Sequence, residues 1–207
     1  MLRRWIVVRP TLALTMALSV AACGAHITPM HPTPDESAHP VTEAPPPDAT
    51  DAEYFSTHGL MVPVVGVAPD QVHDTFNESR DNGGRIHRAT DIMAPRGTPI
   101  VSTSDGRILR MSKSNLGGIT MYVLDTHERF LFYYAHLDAY AERLAPGQRV
   151  QQGDLLGFVG STGNADSLAP HLHFQAMRWD PHRRDYWNCT PVDVRLFFRL
   201  IGQERET

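Results

Sequence analysis

At 207 residues the chain is long enough for one domain with its own core plus flanking segments. Its 42% hydrophobic and 20% charged residues fit a globular protein and exclude a wholly disordered one. A net charge of -4 offers no cationic excess for neutralising phosphates, so no nucleic-acid partner is expected.

The N-terminus reads as an export signal over residues 1–22. Arg3 and Arg4 supply positive charge, and Thr11 to Ala22 is apolar but shorter than the ~20 residues that span a bilayer. The run ends in Val20-Ala21-Ala22-Cys23, which resembles the lipobox of bacterial lipoproteins. That resemblance implies a cleaved chain whose Cys23 is lipidated and held at a membrane. Gly24 after it is similar to lipoproteins sent to the outer membrane, facing the periplasm. Cys189 is then left as one thiol without an internal disulfide, and is expected to be packed.

Residues 23–53 change character. Pro29, Pro32, Pro34, Pro40 and Pro45 to Pro47 alternate with Thr, Ala and acids, without a Lys or Arg. Such a segment buries too little apolar surface to fold and is kept extended by its prolines. At ~3.1 Å per residue it reaches on the order of 100 Å, a tether for a domain working away from its anchor. His26, His31 and His39 fall in it and are expected to be solvated.

From Tyr54 to Thr207 the pattern is that of a mostly β, antiparallel domain. Apolar runs at Met61 to Val67, Pro99 to Ser102, Ile119 to Leu124, Arg129 to Ala135, Leu155 to Val159 and His171 to Met177 read as strands. Asp105-Gly106, Gly117-Gly118, Pro146-Gly147 and Gly163-Asn164 supply turns between them. A short C-terminal helix is predicted from Thr190 as N-cap and Pro191 at the first helical position, with Val194, Phe197, Phe198 and Ile201 as its apolar stripe.

Ionisable residues gather at four places, one of them His127-Glu128. In His87-Arg88-Ala89-Thr90-Asp91 a spacing of four puts His87 and Asp91 on one face of a strand. In His171-Leu172-His173 a spacing of two does the same for both imidazoles, and so it does for Tyr134 and His136. A catalytic zinc site needs three protein ligands and an open position, and two imidazoles with one carboxylate supply that set. Two further histidines would serve for moving protons and steadying an oxyanion near neutral pH.

In this order the segments HRATD, YAHLD and HLHF, with the glycine-rich run PGQRVQQGDLLGFVGSTG, resemble the lysostaphin-type (LytM-domain) metallopeptidases. The likeness covers roughly Asp74 to Met177. It implies a zinc-bearing groove with one Zn2+ per chain, held by His87, Asp91 and His173. It implies His136 and His171 as the catalytic pair, with Tyr134 lending a hydrogen bond to the transition state. The implied activity is endopeptidase cleavage of crosslinks or stems in bacterial peptidoglycan. Ala89 departs from the glycine that the family carries between the first two ligands, which matters only if that position needs φ > 0.

Other readings fail on residues. His127-Glu128-Arg129-Phe130-Leu131 begins like the HExxH helix but has Leu131 where the second histidine must be, which leaves Glu128 a surface residue. Gly160-Ser161-Thr162-Gly163 lacks the spacing of a nucleophile elbow. The stretch VQQGDLLGFVG is similar to half of a lipoyl or biotinyl carrier domain, but the chain's one lysine, Lys113, lies well outside it. The remaining alternative is a non-catalytic LytM-domain lipoprotein that binds cell wall or activates an amidase. Members of that kind typically lack ligands or catalytic histidines, whereas all five are present here.

Overall fold

A computed structural model of the chain describes residues 49–182, 186 and 189–199. In chain order its strands are β1 (Leu60–Met61), β2 (Ser79–Arg80), β3 (Arg85–Ile86), β4 (Thr90–Met93), β5 (Pro99–Val101), β6 (Gly106–Ser114) and β7 (Gly118–Asp125). They continue with β8 (Phe130–Tyr140), β9 (Arg149–Val150), β10 (Leu155–Val159), β11 (His171–Arg178), β12 (Thr190–Val192) and β13 (Phe198–Arg199). A helix, α1 (Ala49–His58), precedes them. The predicted signal segment, Cys23 and the linker as far as Asp48 lie outside the described residues, as do Arg183, Arg184 and Ile201.

Nine strands form one sheet with the order β12-β11-β8-β7-β6-β9, to which β4, β5 and β10 attach. Every pairing within it is antiparallel, as the sequence pattern requires. Period-two alternation decides which face is buried. Along β11, Leu172, Phe174 and Ala176 point into the main core, while His171, His173 and Gln175 face the other way. Along β8, Phe130, Phe132 and Tyr134 share that core. Tyr133 and Ala135 turn to the opposite face, where a smaller cluster with Tyr122, Leu124, Leu131 and Met177 backs the site. Truncating a fully buried ring such as Phe132 to alanine costs about 3–5 kcal/mol, so this alternation fixes the register firmly.

Besides the run Met61 to Val67, of which Met61 alone lies in a strand, three elements depart from the sequence expectations. Strand β6 carries Arg107, Arg110 and Lys113 among few apolar residues and reads as polar; it forms because the turn at Gly117-Gly118 folds it back on β7 over its whole length. Helix α1 takes in Ala49 to Glu53, which were expected in the linker. Its Asp51, Tyr54 and Phe55 fall on one face and are buried, and Gly59 ends it with φ +69°. Asp51 meets Arg178 at 2.5 Å and Arg129 at 3.4 Å.

The predicted C-terminal helix is the third correction. Thr190–Val192 is strand β12, paired with Ala176 to Arg178. Pro191 is tolerated there because β12 is the outermost strand of that sheet path, where a missing N–H is not needed. What looked like a helix start is a single 3-10 turn, Arg195–Phe197, with the Asp193 carboxylate accepting from Arg195 N at 3.0 Å. Val192, Val194 and Phe198 still reach the core, by a different backbone path. Cys189 is buried, as expected.

Candidate metal centre and active site

Three chain segments converge on one patch of the sheet. Asp91 on β4 and His173 on β11 are direct cross-strand partners, and His173 pairs with Ala135 of β8 on its other side. His87 arrives differently from expectation: it lies in the irregular segment after β3, not on a strand with Asp91. Its N–H bonds to Glu78 O, and Arg88 N to Phe76 O, so a two-stranded hairpin carries it in. The chain turns there through Arg88 at φ +60°. Ala89, where the family has glycine, is not left-handed and sits comfortably in the core.

His87 Nε2, Asp91 Oδ1 and His173 Nδ1 form a triangle with all three sides 3.1 Å. Tetrahedral zinc with bonds of about 2.0–2.2 Å spaces its ligand atoms at about 3.3–3.6 Å, so the donor set and its size fit that ion with one position open. Among the described residues these three are the group able to hold a metal. The Thr75 carbonyl lies 2.9 Å from His87 Nδ1, and a carbonyl only accepts. Nδ1 therefore carries the proton and Nε2 turns its lone pair to the centre. The Thr75 hydroxyl in turn accepts from Asp91 N at 2.9 Å.

Burial alone would raise the Asp91 carboxyl, but the close imidazoles of His173 and His87 outweigh that and hold it well below the usual carboxylate range. Its other oxygen, Oδ2, accepts from Arg80 at 2.7 Å.

His171 and His136 face the same groove. The Ala169 carbonyl accepts from His171 Nδ1 at 2.8 Å, and the Thr162 carbonyl from His136 Nδ1 at 2.8 Å. By the same reasoning each ring carries a proton on Nδ1 and turns Nε2 away from its carbonyl partner. His171 Nε2 is 3.8 Å from Asp91 Oδ1. The His136 ring centre is 5.1 Å from that of His171 and 5.6 Å from that of His173. Burial, helped by repulsion from His173 and opposed by the Thr162 carbonyl, lowers His136 to about 4, which keeps it neutral near pH 7.

Tyr134 is not part of this site. A bulge in β8 gives His136 φ +59° and breaks the alternation, so His136 follows Ala135 onto the groove face. Tyr134 points into the core, where its hydroxyl accepts from Thr103 N at 3.0 Å. Burial raises its pKa, which keeps it a neutral hydroxyl. Tyr133 lines the groove instead. The expected surface role of Glu128 holds: it is exposed and 3.3 Å from Arg107. Arg178 is paired with Asp51.

Sequence reasoning missed Thr75, Arg80 and Thr162 as supports of the site. Thr162 at least lies in the glycine-rich run already singled out; Thr75 and Arg80 carry no local signal, because their partners are distant in the chain.

An antiparallel sheet bearing a His-Asp-His triangle and a facing histidine pair defines a metallopeptidase-like site. Residues 85–193, more than half of the chain, match the family described as peptidase family M23. The chain belongs to that family. It is 33% identical over 139 residues to an L-Ala--D-Glu endopeptidase of Bacillus subtilis (strain 168), covering 64% of this chain and 42% of the relative. It is 31% identical over 123 residues to the peptidoglycan DD-endopeptidase ShyC of Vibrio cholerae, covering 59% and 26% respectively. It thus spans less than half the length of either. Its structure is similar to that of the antimicrobial peptidase lysostaphin from Staphylococcus simulans, with a TM-score of 0.51 and 28% identity over 62% of this chain and 48% of that one.

Proposed function

We propose that this chain is a zinc-dependent endopeptidase that hydrolyses peptide bonds, in crosslinks or stems, of bacterial peptidoglycan. The observation that carries the reading is the 3.1 Å triangle of His87, Asp91 and His173 beside two histidines whose Nδ1 atoms are both held by backbone carbonyls. Zinc bound by the triangle would polarise a scissile carbonyl and lower the pKa of a water to about 7. Either His171 or His136 would take at Nε2 the one proton that the attacking water gives up and pass it to the leaving amine. The imidazolium so formed would stabilise the oxyanion of the tetrahedral species by a charge-assisted hydrogen bond. The two relatives, an L-Ala--D-Glu endopeptidase and a peptidoglycan DD-endopeptidase, support this substrate class.

We further propose that the chain is exported and anchored through a lipid on Cys23, at an outer membrane and facing the periplasm, with residues 24 to 48 as its tether. The support is the apolar run ending at Ala22-Cys23 and the proline-rich composition that follows.

The test is digestion of purified sacculi by the protein, with and without a chelator, read by mass spectrometry of the released muropeptides. Chelator-sensitive loss of crosslinked or intact-stem species is expected, and the products identify the bond. Zinc bound at one per chain with sacculi of every crosslink type left intact would replace the enzyme by the non-catalytic, amidase-activating module.

A further inference from the structure

We propose that Arg80 is a positioning residue of the metal centre: its guanidinium holds Asp91 as a one-oxygen ligand. In doing so it sets the affinity for zinc and keeps coordination positions open for substrate. The proposal rests on the zinc reading above.

A carboxylate can offer a metal one oxygen or two. Asp91 Oδ1 stands 3.1 Å from both His87 Nε2 and His173 Nδ1, and so belongs to the ligand triangle. Oδ2 accepts a charge-assisted hydrogen bond from the Arg80 guanidinium at 2.7 Å. An oxygen occupied in this way turns from the metal, and Asp91 is left as a one-point ligand. A two-point carboxylate would fill a position that water or the scissile carbonyl needs.

The fold makes Arg80 a fixed support. Arg80 sits on β2, directly across from Arg85 of β3, and β3 leads straight into His87. Its guanidinium also meets Glu78 Oε2 at 3.2 Å and lies 3.2 Å from His87 Nδ1. Because the Thr75 carbonyl already takes the Nδ1 proton of His87, the directional bond of Arg80 is the one to Asp91. One short hairpin therefore delivers the first ligand and the clamp on the second.

Two effects of Arg80 on zinc affinity have opposite signs, which makes the proposal testable. As a bare cation near a dication it repels, so deleting it would tighten binding. As a support of a ligand it orients, and losing such a support weakens binding by about 10- to 100-fold. The geometry points to the second effect as the larger.

The experiment is zinc titration of the full-length chain against a competing chromogenic chelator, for wild type, Arg80→Met, Arg80→Lys and Arg85→Met. Arg85 lines the same groove and controls for loss of local positive charge. Arg80→Met is expected to bind zinc about 10- to 100-fold more weakly, with its metal-free melting temperature little changed. Arg80→Lys, which keeps a cationic donor, should fall between it and wild type, and Arg85→Met should bind as tightly as wild type or tighter. An Arg80→Met chain that matches or exceeds wild-type affinity overturns the proposal, as does an Arg85→Met chain that loses as much. If Arg80→Met fails to fold, Arg80→Gln carries the same comparison with the same two outcomes. Titration needs no substrate, so a zinc-binding chain that leaves sacculi intact defeats the peptidase reading alone. A wild-type chain that binds no zinc defeats both.

Discussion

Tyr134 and His136 lie two residues apart on one strand and open onto opposite faces of the sheet. The backbone reverses the alternation at His136, whose φ of +59° marks a bulge in β8. Tyr134 thereby closes a hydrogen bond on Thr103 N in the core, while His136 is free to meet its neighbours across the groove.

Tyr134→Phe tests that division. It leaves the buried Thr103 N–H without its acceptor, a loss of about 1–3 kcal/mol. At about 2–4 °C per kcal/mol for a protein of this size, thermal melts should fall by several degrees. Release of muropeptides per folded molecule should be unchanged. A variant that melts normally and loses turnover would mean that Tyr134 reaches the groove after all.

His173→Ala removes one corner of the metal triangle and should abolish zinc at one per chain, measured by metal analysis after gel filtration. In the wild type, zinc at 100 times its dissociation constant adds about 2.7 kcal/mol of stability. Stripping it should lower the melting temperature by about 5–10 °C. The His173→Ala chain should show no such difference between zinc and chelator.

His171→Ala and His136→Ala should separate chemistry from metal binding. Neither side chain is in the triangle, so both variants should retain zinc. Each loses a positioned proton-transfer group, and turnover should drop by about 10²- to 10⁴-fold. Normal cleavage by either variant would remove that histidine from the mechanism.

Gly118→Ala should damage the site from outside it. Gly118 has φ +66°, and a methyl group there would lie 2.1 Å from Thr162 Oγ1 and 2.4 Å from the Thr162 carbonyl carbon. The loop that orients His136 Nδ1 must then shift. Zinc content should persist, because no ligand lies on that loop, while sacculus digestion falls. Retained zinc with undiminished digestion would show that His136 tolerates a displaced Thr162.

Much of the candidate site was legible in the chain because its signals are local. The spacing of two in His171-Leu172-His173 puts both rings on one face of any strand, and the strand formed. The antiparallel sheet followed from short apolar runs separated by turn residues. His87 and Asp91 were recognised as a pair, although by a loop turning at Arg88 rather than by strand periodicity.

By itself, then, the sequence determined the residue types of the centre, their order and the faces that simple alternation assigns. The tertiary structure decided whatever depends on a distant backbone partner. Strand β6 exists because β7 accepts it along its length, and Thr190–Val192 became a strand because Ala176 to Arg178 offered unpaired backbone groups. The bulge that divides Tyr134 from His136, and the carbonyls of Thr75, Thr162 and Ala169 that set the histidine tautomers, arise in the same way. Buried N–H and C=O groups must all find partners, and that requirement is met across the whole fold, where local spacing carries no record of it.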